Sequence, residues 1–120
     1  MEKQIFVGGT LDDAGRRFAD AWHRAERGEI VEPEDNITFV SWAALSNVMT
    51  QKRYELLCHR HLHPANSVRA LARDLGRDFK RVHGDVAALE EVGLIEREDG
   101  QLHADYNVIN ASIYLRAAAA

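Results

Sequence analysis

The chain is nearly free of cysteine and proline. A single thiol, Cys58, among 120 residues excludes an intrachain disulfide and the disulfide-stapled scaffolds of small secreted domains. Only Pro33 and Pro64 interrupt the backbone, which leaves long stretches open to helix. No apolar run approaches the roughly 20 residues that a membrane-crossing helix needs. The opening MEKQIFVGG lacks the long apolar core of a secretion signal. A cytoplasmic protein with no membrane partner is therefore expected. GxSxG, a Walker loop, HExxH and paired-carboxylate spacing are all missing, so neither an enzyme nor a cofactor is expected. There is no internal repeat, and low complexity is confined to the terminal alanines.

What remains is an ordinary globular composition, 46% hydrophobic and 28% charged, enough for one domain with a modest core. The net charge of −4 argues against nucleic acid at first sight, but the charge is unevenly spread. Between Lys52 and His83 the cations are Lys52, Arg53, Arg60, Arg69, Arg73, Arg77, Lys80 and Arg81; the carboxylates are Glu55, Asp74 and Asp78. The first 49 residues show the reverse balance, with carboxylates outnumbering Lys3, Arg16, Arg17, Arg24 and Arg27. An acidic N-terminal part joined to a basic middle suits a protein that meets phosphates with one face.

Local patterns divide the chain. Ile5–Val7 reads as a short strand stopped by Gly8-Gly9. Ala14, Phe18, Ala21, Trp22 and Ala25 repeat at helical spacing, with Asp12 or Asp13 as a cap and Gly28 as a stop. EIVEPEDN, residues 29–36, is a loop; Ile37–Val40 is β-rich, and Trp42 opens a short helix. Three amphipathic helical segments follow: TQKRYELLCHRHLH, SVRALARDLG and DFKRVHGDVAALEEVG. Thr50, Ser67 and Asp78 are placed to cap them, and Gly76 and Gly93 to end the last two. The spacing predicts an inward stripe of Tyr54, Leu57, Cys58 and Leu62 on the first segment, widened by Leu56. On the third it predicts Phe79, Val82, Val86 and Leu89 inward, with Lys80, Arg81, Gly84, Asp85 and Ala88 outward. LIEREDGQLHADY is a hairpin turning at Asp99-Gly100. Asn107–Leu115 alternates as a last strand, with Ile109, Ala111, Ile113 and Leu115 on one side.

Helix, helix, helix and hairpin in 57 residues is the order in which a winged helix-turn-helix offers one helix to the major groove. The first turns of that helix, after Leu75-Gly76-Arg77-Asp78, would present Arg77, Lys80, Arg81 and Gly84 to base edges, and Arg81 suits bidentate recognition of guanine. Gly84 either lets the helix backbone approach DNA or packs under a neighbour. Arg69, Arg73, Lys52 and Arg53 are candidate phosphate contacts. Arg97 on the hairpin is a candidate minor-groove contact, among Glu96, Glu98 and Asp99.

The segment from Thr50 to Tyr106, above all LARDLGRDFKRVHGDVAALEEVGLIERED, resembles the winged-helix regulators of the MarR-like superfamily. The whole chain, with TFVSWAAL and YNVINASIYL, resembles a small prokaryotic family of DNA-binding regulators whose members are also described as antitoxin-like partners of small toxins. The resemblance implies DNA binding through Arg77, Lys80 and Arg81. Cys58-His59-Arg60-His61-Leu62-His63 offers a rival chemistry, because His59 and His63 lie one helical turn apart and could share a metal. With no second cysteine motif, these histidines fit equally a helix end that favours positive charge, so no metal is assigned. Cys58 reads as a small packed hydrophobe, and Trp22 and Trp42 as core or dimer contacts.

The expectation is an α+β winged helix-turn-helix over residues 50–106, with an N-terminal strand–helix extension over 1–49 and a C-terminal strand and tail over 107–120. Its expected role is a homodimeric repressor on double-stranded DNA, with strand addition between subunits through Ile5–Val7, Ile37–Val40 and Ile109–Leu115 as the preferred geometry and a continuous intrachain sheet equally allowed. The rival readings are a module that binds a cognate toxin and a metal-responsive regulator.

Overall fold

The computed structural model describes residues 2–29, 36–62 and 65–115. In chain order the elements are β1 (Glu2–Val7), α1 (Leu11–Glu26), β2 (Asn36–Phe39), α2 (Trp42–Val48), α3 (Gln51–Leu62), α4 (Val68–Leu75), α5 (Phe79–Val92), β3 (Glu96–Glu98), β4 (Gln101–His103) and β5 (Val108–Ile113). The fold is a mixture of α and β, divided into two compact units. One runs from Ser46 to Asn107; the other joins Glu2–Leu45 to the segment beginning at Val108.

The unit built from both ends of the chain is a three-stranded parallel sheet in the order β2-β1-β5. Parallel neighbours need a crossover between them, and α1 supplies it from β1 to β2. Ile5 lies opposite Ile37 on one side and Ala111 on the other. As the central strand, β1 buries Ile5, Phe6 and Val7 in succession, the near-continuous apolar run of a strand covered on both faces. The three strand segments thus pair within one chain; of the two sheet arrangements the sequence allowed, this is the intrachain one.

Thr10, rather than Asp12 or Asp13, caps α1. Its hydroxyl accepts from the Asp13 amide at 3.2 Å, and the Asp13 carboxylate accepts from the Thr10 amide at 2.8 Å. Gly9 has φ +85°, and a Cβ there would stand 3.1 Å from the Asp13 carboxylate and 3.3 Å from the Tyr114 ring. Arg17 closes this corner, with its guanidinium 3.8 Å over the Phe6 ring and Nη1 donating to the Tyr114 hydroxyl at 3.0 Å. The apolar stripe of α1 lies at the surface, so Trp22 is not a core residue. Asp13 is the only buried residue of α1, while Phe18 is 72% and Trp22 58% exposed. Trp42, Ile113 and Leu115 are also exposed, so β5 hides little of the side assigned to it.

The 46–107 unit packs α3, α4 and α5 around Leu56, Leu71, Val82, Val86, Leu89, Leu94 and Leu102, all fully buried. Thr50, Ser67 and Asp78 accept from the first-turn amides of the three helices, and Gly76 and Gly93 end two of them in the left-handed conformation. Leu94 and Ile95 are buried but precede β3. Asp99 at φ 51° and Gly100 at φ 80° form a two-residue turn that sets Glu98 opposite Gln101. Leu102 is the buried residue of the hairpin; its amide donates to the Ala65 carbonyl at 3.2 Å, fastening β4 ahead of α4.

On α3 the buried face is shifted. Leu56, Leu57 and Arg60 are buried, whereas Tyr54 and Cys58 are exposed, so Cys58 is not a packed hydrophobe. The helix carries apolar residues around more than half its circumference, and the neighbours α4 and α5 select which of them face inward.

Candidate nucleic-acid interface

Gly76 ends α4 with its amide on the Arg73 carbonyl at 3.1 Å, and the Arg77 amide reaches the Ala72 carbonyl at 3.0 Å. These bonds make a rigid corner, and α5 starts three residues after Gly76. Lys80 and Arg81 lie in its first turn and are exposed, and neither has an ion-pair partner among the described residues. Gly84, one turn later, is exposed, and a Cβ there would meet nothing within 4 Å. It packs under no neighbour. The opening of α5 therefore presents two cations beside a stretch of bare helix backbone.

Arg69 and Arg73 are exposed on α4. The Arg69 guanidinium lies 4.5 Å over the Phe79 ring, which itself leans on His83 at 5.8 Å and is only half-buried. That stacking joins the outer face of α4 to the start of α5. Lys52 pairs with Glu55 at 3.7 Å on the α3 surface, an exposed contact of little strength.

Three other arginines face elsewhere. Arg53 donates from Nε to Asp85 at 3.0 Å, and Arg77 from Nη2 to the other Asp85 oxygen at 2.8 Å. Arg77 is thus held by the body of the unit, where the spacing had placed it outward, and Arg53 is no free phosphate contact. Asp85 and Ala88, expected outward, are half-buried for the same reason: α5 lies close enough to α3 to cover that edge. Arg97 is bound to Glu90 of α5 at 2.7 Å. No single-helix periodicity reveals the Asp85 cluster, because Arg53 is 32 residues away.

His59 is half-buried on α3, and His63 lies outside the described residues. Among the described residues no group of three or more His, Cys, Asp or Glu is arranged to hold a metal ion. Tyr54, one turn from Cys58, has its phenol raised above the ordinary value by a hydrogen bond with that thiol and by its charge. No helix among the described residues is long and apolar enough to cross a membrane.

A family model, HVO_A0114, matches residues 48–111, more than half of the chain. The chain belongs to the HVO_A0114 family. No curated protein and no solved structure matches it. The HVO_A0114 segment runs from the last residue of α2 into β5, so it holds the α4–α5 corner, the Asp85 cluster and the hairpin together. Membership by itself assigns no activity.

Proposed function

We propose that residues 50–106 form a winged helix-turn-helix of the MarR-like kind, and that the protein is a sequence-specific regulator binding double-stranded DNA with the opening of α5 in the major groove. The observation that carries this reading is the state of Lys80, Arg81 and Gly84: two exposed cations without partners among the described residues, beside a helix turn with open space where a side chain would be. Arg81 reads a base edge, its planar fork matched to guanine. Lys80, Arg73 and Arg69 hold phosphates and set register. The corner at Gly76 supports the reading by fixing α5 against α4, and the hairpin after α5 supplies the wing.

Anisotropy of a labelled duplex at two salt concentrations tests it. Binding is expected to weaken in salt. Arg81→Ala is expected to lower affinity for a preferred duplex by about 1–3 kcal/mol, and Lys80→Ala to flatten the salt dependence by about one phosphate contact. Unchanged affinity in both variants removes α5 as the reading helix.

Reading two half-sites requires two copies, and α1 carries the surface we assign to that pairing. Its exposed stripe is arranged about Phe18 so that an antiparallel second copy would set Phe18 on itself, Leu11 opposite Ala25 and Trp22 opposite Ala14, large against small. Such self-complementarity is what a two-fold interface demands.

A further inference from the structure

Asp85 stands four residues after Arg81, the spacing at which a helix brings a carboxylate and a guanidinium together. Both of its oxygens are instead occupied from the other side. Oδ1 accepts from Arg53 Nε at 3.0 Å and Oδ2 from Arg77 Nη2 at 2.8 Å. Arg53 continues the chain of contacts, with Nη1 donating to the Asn47 and Val48 carbonyls at 3.0 and 2.9 Å. Those are the last carbonyls of α2, which the helix leaves without internal partners. The three side chains are only 15–20% exposed, so water and salt screen their attraction less than that of a surface pair.

We propose that Asp85 is the positioning residue of the reading surface: by holding Arg53 and Arg77, it fixes the opening of α5 and leaves Arg81 free for a base. The inference rests on the DNA reading above and adds to it a residue that touches no nucleotide. An Asp85 with a vacant oxygen would capture Arg81 along its own helix and withdraw it from the groove. An α5 without Asp85 would release the Arg77 guanidinium, which binds phosphate without regard to sequence, while Arg53 keeps its bonds to the Asn47 and Val48 carbonyls.

The test starts with a duplex enriched from a random-sequence pool by the wild-type chain, measured against a shuffled duplex of the same composition. Arg77→Gln keeps the side-chain stem and vacates one Asp85 oxygen. It is expected to lower affinity for the enriched duplex at least tenfold. Adding Asp85→Asn removes the capturing charge and is expected to recover at least threefold of that loss, whereas a merely structural role makes the double variant no better than the single one. Asp85→Asn alone is expected to reduce the enriched-to-shuffled preference at least fivefold while shuffled-duplex affinity holds or rises. Should Asp85→Asn not melt cooperatively, Arg77→Gln decides: a tenfold loss at unchanged melting temperature supports the clasp, and unchanged affinity overturns it. A double variant no better than Arg77→Gln, or an Asp85→Asn that weakens both duplexes equally, also overturns it. A wild-type chain that enriches no duplex removes the DNA reading and this inference together; enrichment followed by those variant results removes the clasp alone.

Discussion

Arg97 on β3 donates from Nη2 to the Glu90 carboxylate on α5 at 2.7 Å, so the cation of the hairpin is turned toward its own domain. Both side chains keep substantial contact with water, and such pairs contribute less than about 1 kcal/mol. With Glu96, Glu98 and Asp99 beside it, this hairpin is a poor ligand for phosphate. Arg97→Ala is expected to change duplex affinity less than threefold and to leave the melting temperature within a few degrees. A tenfold loss measured by anisotropy would place the hairpin in the minor groove after all. Glu90→Gln, which frees Arg97, is expected to raise affinity for any duplex modestly and without preference.

Gly84 sets stability against function. Glycine inside a helix is about 1 kcal/mol less favourable than alanine. The structure leaves room for the extra methyl, and the backbone there is ordinary helix. Gly84→Ala is thus expected to raise the unfolding free energy by about 0.5–1 kcal/mol in denaturant titration. If the bare backbone lies against DNA, the same variant binds its preferred duplex at least threefold more weakly. A variant that is both more stable and equally active would reduce Gly84 to an incidental weakness of the helix.

On α3 the sequence pattern and the packing disagree, and the disagreement is measurable. Leu56 is fully buried and Tyr54 is 54% exposed. Leu56→Ala is expected to cost about 2–5 kcal/mol, a large share of the roughly 5–15 kcal/mol that holds a domain together. Tyr54→Ala is expected to cost less than about 1 kcal/mol. Urea melts followed by circular dichroism give both numbers, and a reversed order would restore the face that periodicity suggests.

These cases mark where the sequence was legible. Caps and turns announce themselves because their chemistry is local: Thr50, Ser67, Asp78, Gly76 and Asp99-Gly100 each fulfil their expected role within a few residues. Val82, Val86 and Leu89 were equally plain, since the large apolar side chains of α5 fall on one face. α3 was ambiguous because apolar residues occupy several of its faces, and only contact with α4 and α5 decides among them. The clasp at Asp85 was hidden for a different reason. Its arginines come from α3 and from the α4–α5 turn, and a carboxylate on a helix surface looks the same in sequence whether or not distant cations reach it. The capping of α1 by Thr10 was missed because Asp12 and Asp13 stand next to it and are themselves good caps.

The exposed stripe on α1 leads to the last prediction. An exposed apolar stripe of this kind marks an interaction surface, and about Phe18 its large residues face small ones in an antiparallel pairing, Leu11 opposite Ala25 and Trp22 opposite Ala14. In a two-fold pairing only the residue on the axis meets its own copy. Phe18→Cys, made with Cys58→Ser because Cys58 is exposed, is therefore expected to form an interchain disulfide under mild oxidation. The bond requires Cβ atoms within about 4.5 Å. Asp12→Cys in the same background, exposed but away from the stripe, is expected not to crosslink. Light scattering on Phe18→Glu with Trp22→Glu should give the mass of one chain where the wild type gives two. That monomer should bind a single half-site with lost cooperativity but an unchanged salt dependence per copy. A wild-type chain that is monomeric at micromolar concentration would leave α1 to a different protein, and the proposed DNA reading would then have to work with a single copy.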